Sequence, residues 1–384
     1  MKIIFIGQKG LPAIGGGVER YVEDIALRLA KLGHTVMAYT RPNYTSKKLT
    51  DYQGVKLISL PSIGTKHLDA ISHTFLASID AAFRKADVIH YQSIGPALVC
   101  WLPKLLNRQV RIVSTLQSRD YEHQKWNKLA KLVLKFGERL MCYFSDEIIV
   151  ITESMKDYVR QEYNIEAKVI SNGANLYPVV EDDSLIRQWG LTKDNYIVAI
   201  SRLVRHKGLG HLILAYKKLT TDKKLVIVGE GSFTDDYISE LKALVGDDTN
   251  IIFTGNQFGA TLAQLYANTY LFVQPSESEG LSLALLEAMA RRRGVLVSNI
   301  AENLEAIGGT GLVFENKSVN DLKEKLQLAL DSPELIKDLG QEARRRIEQF
   351  YDWDDIVLDI IAIYNKAMKH KRTFTPYQAR LING

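Results

Sequence analysis

Short runs rich in valine and isoleucine alternate with helical patterns along this sequence of 384 residues. One series of such runs begins at residues 2–7, and a second series begins at residues 196–200. This alternation predicts βαβ units, in which parallel strands are buried between helices on both faces of a sheet. The sequence therefore predicts an α/β fold with two doubly wound parallel sheets.

A turn-rich stretch followed by a run of three acidic residues marks the clearest domain boundary. We place a linker there, near residues 172–185. The N-terminal domain is predicted over residues 1–175 and the C-terminal domain over residues 185–350. An apolar pattern introduced by Trp353-Asp354-Asp355 predicts a last long helix over residues 352–370.

Composition narrows the class of protein. Hydrophobic residues make up 46% of the chain and charged residues 24%, which is ordinary for a soluble globular enzyme. No apolar run approaches the roughly 20 residues of a membrane span. Two cysteines are too few for a disulfide framework or a zinc site, so we expect a cytoplasmic protein. The net charge of +5 is too mild to indicate nucleic acid as a partner.

Two glutamates, Glu279 and Glu287, are separated by seven residues across a predicted strand-to-helix turn. The run before Glu279 has the composition of a buried strand, and the run after Gly280 consists of strong helix formers. We expect Glu279 at the turn and Glu287 about two turns into the helix, on a similar side. The amides of Gly280, Leu281 and Ser282 are expected to open this helix as an anion site.

Two basic residues, Arg202 and Lys207, follow the first predicted strand of the second sheet. Ligands of open α/β sheets bind at the carboxyl ends of the strands, which is where both residues lie. Together they offer two positive charges for a diphosphate. The alternative is that they only cover a helix end, and Arg205 and His206 between them are as readily explained as solvated neighbours.

The stretch that joins the first predicted strand to the first predicted helix contains three consecutive glycines at residues 15–17. Glycines here let the backbone approach an anion at a helix N-terminus without interference from a Cβ atom. The dinucleotide fingerprint Gly-x-Gly-x-x-Gly is absent, which disfavours a nicotinamide-dependent enzyme.

The setting of the two glutamates, Pro-Ser-x-x-Glu-Gly followed by six residues and Glu-Ala-Met, resembles the retaining family-four glycosyltransferases. The resemblance extends from Gly16 to the start of the last helix. It implies the glycosyltransferase B fold: two Rossmann-like domains facing a cleft, with the C-terminal helix crossing back to the first domain. It also implies retaining transfer of a sugar from a nucleotide diphosphate donor to a glycan or lipid-linked acceptor, in cell-surface polysaccharide or glycoconjugate synthesis.

The resemblance assigns roles to residues of the C-terminal domain. It implies that Glu287 holds the ribose hydroxyls, Glu279 a donor-sugar hydroxyl, and Arg202 with Lys207 the diphosphate. The family holds the nucleotide base and phosphate with backbone near the strand ends at Gly229 and Gly255. Either glycine is equally explained as a plain strand exit.

In the N-terminal domain the resemblance places Gly16 and Gly17 beside the leaving phosphate. Glu19, His90 and Gln117 are candidates for sugar or acceptor contacts. A glutamate in a first helical turn is already explained by the helix dipole, and His90 is equally explained as a structural histidine. Gln117 stands where a His-Gly pair is common in the family; its amide can bond a hydroxyl but cannot carry a proton.

No cofactor is expected, and the resemblance implies a metal-independent reaction, since Arg202, Lys207 and helix amides would neutralise the diphosphate. Asp352-Trp353-Asp354 matches the Asp-x-Asp metal motif of the other major glycosyltransferase fold. It lies at a helix start, where aspartate is an ordinary cap. A second departure from the family is Arg291-Arg292-Arg293, where Cys-Gly-x-Pro is usual; arginines suit a helix C-terminus.

A basic amphipathic helix is predicted over residues 125–136. Its apolar side carries Trp126, Leu129, Leu132, Val133 and Phe136, and Lys125, Lys128, Lys131 and Lys135 are largely opposite. Such a helix can lie in an anionic membrane surface, and the basic tail over residues 366–384 could assist it. The alternative is a core-facing helix with solvated lysines.

Two other functions stay open. The absence of histidine at Gln117 is compatible with a nucleotide-sugar-binding protein of the same fold that has lost transfer. The basic helix and tail are compatible with a membrane-docked scaffold.

Overall fold

The computed structural model describes residues 1–65, 68–119, 121, 127–176, 182–231 and 235–369. The chain divides into two compact units. Unit 1 comprises Met1–Asn172 together with the C-terminal segment from Trp353, and unit 2 comprises Gly173–Asp352. Asp182, in the predicted linker, belongs to unit 2, where it accepts a hydrogen bond from Gln264 at 2.7 Å.

Unit 1 is built on an eight-stranded sheet in the order β3-β4-β2-β1-β5-β6-β7-β8. Its strands are β1 (Lys2–Ile6), β2 (Thr35–Thr40), β3 (Asp51–Tyr52), β4 (Val55–Ser59), β5 (Val88–Gln92), β6 (Arg111–Leu116), β7 (Glu147–Val150) and β8 (Lys168–Val169). All neighbours pair in parallel except β3 and β4. Residues Ile3, Ile4, Phe5 and Ile6 of β1 are fully buried, as expected for a central strand covered on both faces.

Among the described residues of unit 1, seven α-helices connect or cover these strands. They are α1 (Gly17–Lys31), α2 (Leu68–Phe83), α3 (Ile94–Ala97), α4 (Leu102–Leu106), α5 (Lys128–Phe144), α6 (Glu153–Tyr163) and α14 (Trp353–Lys369). In the part of the chain that the structure describes, no helix is both long enough and apolar enough to cross a membrane.

Unit 2 is built on a six-stranded parallel sheet in the order β11-β10-β9-β12-β13-β14. Its strands are β9 (Tyr196–Ile200), β10 (Lys224–Val228), β11 (Ile251–Gly255), β12 (Leu271–Gln274), β13 (Gly294–Ser298) and β14 (Leu312–Phe314). Its helices are α7 (Leu209–Tyr216), α8 (Asp235–Val245), α9 (Gly259–Ala267), α10 (Leu283–Ala290), α11 (Ala301–Ile307), α12 (Val319–Asp331) and α13 (Pro333–Phe350). The prediction of two doubly wound α/β domains is confirmed.

The last helix, α14, packs within unit 1 against α1, β6 and β7, so the expected return of the chain to the first domain is observed. Trp353 at its start packs against Tyr21 of α1, with ring centroids 5.8 Å apart. Further along the helix, the Tyr364 hydroxyl lies 2.8 Å from Nδ1 of His90. Lys366 donates to Glu147 at 2.9 Å. His90 is fully buried and its Nε2 bonds Thr115 at 2.7 Å, which favours the alternative of a structural histidine; contact of His90 with sugar or acceptor stays a prediction.

Burial lowers the pKa of His90 to about 3. An unfolded histidine titrates near 6.5, so between these values the unfolded chain binds a proton that the folded chain does not. Stability contributed by neutral His90 is therefore present above pH 6.5 and is lost as pH falls toward 3. We predict that His90→Gln lowers the slope of unfolding free energy against pH by up to about 1.4 kcal/mol per pH unit between pH 4.5 and 6. Urea unfolding at a series of pH values measures both slopes, and parallel slopes would contradict the prediction.

Candidate functional site

The carboxyl edge of the unit 2 sheet brings together two residues singled out from the sequence. Lys207 ends a 3-10 turn after β9, and Glu279 lies in the loop between β12 and α10. Nζ of Lys207 donates to Oε1 of Glu279 at 2.5 Å. Their side chains are only 14% and 8% exposed. A cation and a carboxylate are thus fixed side by side where open α/β sheets bind ligands.

The two loops that carry this ion pair are clamped by close backbone contact. Gly208 has φ +66°, and a Cβ atom on it would stand 1.9 Å from the carbonyl oxygen of Pro275. The amide of Glu277 donates to the carbonyl of His206 at 2.8 Å. Only glycine at position 208 lets the loops meet, so this residue sets the position of its neighbour Lys207.

A network of hydrogen bonds among buried polar side chains holds Glu279 in place. Ser276 Oγ donates to Oε1 of Glu279 at 2.6 Å, and the Ser276 carbonyl accepts from Ser298 Oγ at 2.5 Å. Asn303 donates to Ser298 Oγ at 3.0 Å and accepts from Gln274 at 2.7 Å. Our reading of the sequence missed this network. Only Ser276 carried a signal, as the serine of the Pro-Ser motif before Glu279.

Arg202 and Arg205, two further arginines near this ion pair, differ in their surroundings. Arg202 is exposed, and its side chain makes no hydrogen bond or ion pair with any described residue. Arg205 donates from NH1 to Glu240 at 2.6 Å and lies over the ring of Tyr237 at 5.0 Å. Arg205 is therefore held on the surface of unit 2 by a partner of its own, whereas Arg202 is available to an anion.

Helix α10 begins two residues later than the sequence indicated. Ser282 is its N-cap and accepts from the Leu285 amide at 3.3 Å, so Gly280 and Leu281 precede the helix. The expectation that Gly280, Leu281 and Ser282 form its first turn is wrong, because the capping serine fixes the start. Their amides belong to the loop that carries Glu279.

Glu287 lies on α10 with its side chain 18% exposed. NH1 of Arg291, one turn on, stands 3.9 Å from Oε2 of Glu287 and donates to the Glu287 carbonyl at 3.0 Å. The Arg291 guanidinium also lies 5.0 Å from the ring centroid of Tyr266. Arg293 donates to the Thr269 carbonyl at 3.1 Å. Arg291 and Arg293 thus make contacts of their own near the end of α10.

Gly229 and Gly255 lie at the exits of β10 and β11. Gly229 has φ +137°, and a Cβ atom on it would stand 1.9 Å from the Ser201 carbonyl oxygen. Its amide donates to the Gly255 carbonyl at 3.0 Å. The strand exits therefore require glycine in their own right. Donor contacts by these glycines stay a prediction.

In unit 1 the glycine-rich loop is braced by the side chains around it. Gly16 is the N-cap of α1 and Gly17 is its first residue. Glu19 is buried and accepts from the Lys9 amide at 3.0 Å, so its carboxylate braces its own loop. The Tyr44 hydroxyl lies 2.6 Å from the amide of Ile14. Burial raises the pKa of Tyr44 to about 12. Tyr44 was missed because nothing in its sequence context points to this loop.

Gln117 lies just after β6 and is 7% exposed. Its Nε2 donates to Oε1 of Gln92, a fully buried residue at the end of β5, at 3.0 Å. Nε2 of Gln92 is buried and has no hydrogen-bond partner among the described residues. The pair places amide groups at the carboxyl edge of the unit 1 sheet.

No group of three or more histidine, cysteine, aspartate or glutamate side chains within the described ranges is placed to hold a metal ion. In the Asp-x-Asp sequence, Asp354 accepts from Arg28 of α1 at 3.0 Å. Asp352 forms an isolated bridge with Ala174. The motif therefore serves the packing of the chain around the start of α14.

Comparisons with known proteins match both halves of the chain. Residues 15–177 match the model of Glycosyltransferase Family 4, and residues 181–346 match that of Glycosyl transferases group 1. An uncharacterized glycosyltransferase of Methanocaldococcus jannaschii is 26% identical over 96% of this chain and 99% of that protein.

Solved structures share the fold, and two of them serve as examples. Sucrose-phosphate synthase from Thermosynechococcus elongatus superposes with a TM-score of 0.83 at 22% identity, covering 95% of this chain and 98% of that one. Anabaena HepE in complex with UDP and glucose gives a TM-score of 0.80 at 20% identity, covering 95% and 99% of the two chains.

The clamp at Gly208 can be tested against a neighbouring glycine. We predict that Gly208→Ala lowers the free energy of unfolding by at least about 2 kcal/mol, because the residue has positive φ and its Cβ would clash with Pro275. Gly210 is the matched control: it lies in α7, and a Cβ there would meet nothing closer than 3.6 Å. Gly210→Ala should leave stability unchanged or raise it slightly. Equal effects in urea unfolding would contradict the role of Gly208.

Proposed function

The chain belongs to the group 1 glycosyltransferases of family four, and from this membership we propose that it moves a sugar from a nucleotide diphosphate donor to a glycan or lipid-linked acceptor. The reaction we propose is retaining and metal-independent and takes place in the cytoplasm. Its product would enter cell-surface polysaccharide or glycoconjugate synthesis. The UDP and glucose named in the HepE complex support a nucleotide sugar as the donor class.

The observation that carries this proposal is the contact between Lys207 and Glu279. The bond that breaks in the donor joins the anomeric carbon of the sugar to an oxygen of the diphosphate. A cation is needed on the phosphate side of this bond, and a hydrogen-bond acceptor is useful on the sugar side. Lys207 and Glu279 offer both groups within 2.5 Å of each other.

Charge develops on the leaving diphosphate as the bond to the sugar breaks. Fixed cations stabilise such charge most effectively when no reorganisation is needed, and Lys207 is held by its ion pair and by the clamp at Gly208. Exposed Arg202 provides a second cation from the same strand end. In this proposal the leaving phosphate oxygen takes the proton of the acceptor hydroxyl, which attacks from the same face.

The remaining candidates complete the donor site. We assign the ribose hydroxyls to Glu287 and the base and phosphate to backbone near Gly229, Gly255 and the loop of Gly280–Ser282. Gly16 and Gly17 in unit 1 are assigned to the leaving phosphate.

One other function is favoured by a specific residue. The side-chain amide of Gln117 is hydrogen-bonded to Gln92 and cannot carry a proton. A donor-binding protein without transfer activity is therefore the second candidate. Product formation separates the two candidates, because both would bind the nucleotide.

The proposal predicts transfer from one nucleotide sugar in a panel of UDP, GDP, ADP and TDP donors, in the presence of EDTA. A binding protein without activity would be stabilised against heat by one nucleoside diphosphate but would form no product. Product release measured with and without EDTA and manganese distinguishes the two candidates and tests metal independence. Activity that disappears in EDTA and returns with manganese would refute metal independence, and binding without product would establish the second candidate.

Substitution of Arg202 and substitution of Lys207 should differ in their effect on the free energy of unfolding. Either substitution by alanine is expected to lower turnover by a factor of about 10² to 10³, the scale for one preorganised charge-stabilising group. Lys207→Ala should also lower the free energy of unfolding by about 3 kcal/mol, because it leaves Glu279 buried without its partner. Exposed Arg202 should show no such loss. Steady-state kinetics beside urea unfolding gives both numbers, and full turnover in Arg202→Ala would remove it from the site.

A further inference from the structure

Exposed apolar side chains cluster on one layer of helices in unit 1. Helix α2 contacts α3 and α4, and α5 contacts α3, so these helices lie side by side. The outward side of α2 carries Leu68, Phe75, Leu76 and Phe83, and the helix contains no lysine or arginine. Phe83 is 69% exposed. An apolar stripe of this kind on an outer helix indicates a partner surface.

Helix α5, which contacts α3, carries a second exposed apolar stripe; the sequence had left open whether this stripe faces the core. Leu129, Leu132, Val133 and Phe136 are exposed, the first two by 69% and 67%. The core-packing alternative therefore fails for these four residues. The side that packs into unit 1 is a different one, formed by Leu134, Gly137, Glu138 and Met141.

Basic residues line the same helix. Successive residues of an α-helix are about 100° apart, which puts Lys128, Lys131, Lys135 and Arg139 on one side, next to the exposed apolar stripe. Lys128, Lys135 and Arg139 are exposed, and Lys131 is half-buried. The one acidic residue of α5, Glu138, is fully buried. Helix α5 thus has a buried side, an apolar exposed side and a basic side. Lys125 and Trp126 of the predicted helix lie outside the described residues, as does the tail beyond residue 369.

We propose that the outward sides of α2, α4 and α5 form a docking face for an anionic lipid bilayer. Apolar side chains enter the boundary between headgroups and acyl chains, and neighbouring cations bind lipid phosphates. Helix α4, which contacts α2, adds Leu105 at 69% exposure and Leu106 at 43%. Three helices contribute, so the surface is wider than the single amphipathic helix that the sequence indicated.

Charge favours a bilayer over a second copy of the chain. In a two-fold symmetric dimer the same patch meets itself. A dimer built on α5 would bring its four basic residues toward the same four of the partner, and like charges across an interface oppose association. An anionic surface complements them.

This proposal rests on the proposed function in one respect only: the purpose of the docking face would be to bring the enzyme to a lipid-linked acceptor. Binding to vesicles is measured without any donor. A protein that binds vesicles but transfers no sugar would refute the proposed function and leave the docking face standing. Transfer to a soluble acceptor without vesicle binding would do the reverse.

The test is sedimentation of the full chain with vesicles at low salt. Vesicles of phosphatidylcholine mixed with phosphatidylglycerol should bind the protein, and vesicles of phosphatidylcholine alone should bind it far more weakly. Lys128→Gln, Lys131→Gln and Arg139→Gln together should weaken binding by about a hundredfold, since each cation near an anionic membrane contributes about 1 kcal/mol. Leu129→Gln, Leu132→Gln and Phe136→Gln together should weaken it by at least about tenfold.

Matched controls keep the result specific. Leu328→Gln, Phe350→Gln and Leu358→Gln change exposed apolar residues of α12, α13 and α14, outside the docking face, and should bind vesicles like the parent. Circular dichroism and thermal unfolding confirm that each variant folds. The proposal is overturned if the parent protein does not bind mixed vesicles, or if variants of the face bind as well as the controls. It is also overturned if the parent is a dimer that the apolar variants dissociate and it binds no vesicles.

Discussion

The ion pair between Lys207 and Glu279 is the contact on which the arrangement of the unit 2 site depends. Both groups are largely withdrawn from water, so each stabilises the charge of the other, and removal of either would leave a buried charge uncompensated. The pair joins the loop after β9 to the loop after β12, and the clamp at Gly208 brings these loops close enough to form it. The ion pair, the backbone conformation at Gly208 and the positions of the two loops therefore depend on one another.

The alternation of strands and helices was sufficient to predict two doubly wound sheets, because buried parallel strands read as continuous apolar runs. Lys207 and Glu279 could be placed together because both follow neighbouring strands, and parallel strands end at one edge of the sheet. The support behind Glu279 could not be predicted. Asn303 comes from α11, 29 residues beyond its partner Gln274, and no periodicity links the two.

Side-chain direction was the other property that the sequence did not determine. His90 was expected near the ligand-binding edge, yet it lies in the middle of β5 and its ring is buried against Tyr364, 274 residues later in the chain. Glu19 opens a helix beside a glycine-rich loop, yet its carboxylate turns back to the amide of Lys9. In both cases the element that carries the residue was predicted correctly, and a partner distant in sequence or a bend in the loop decided what the side chain contacts.

The same limitation applies to α5, which carries apolar residues on two sides. Periodicity identifies both stripes but not the one that is buried. Gly137 determines which stripe is buried, because a Cβ atom there would stand 2.6 Å from the carbonyl oxygen of Ile94 in α3. The absence of a side chain lets α5 approach α3 closely on this side, which fixes the rotation of the helix about its axis. With Gly137 turned inward, Leu129, Leu132 and Phe136 must face outward, so the glycine that packs the helix is also what exposes its second apolar stripe.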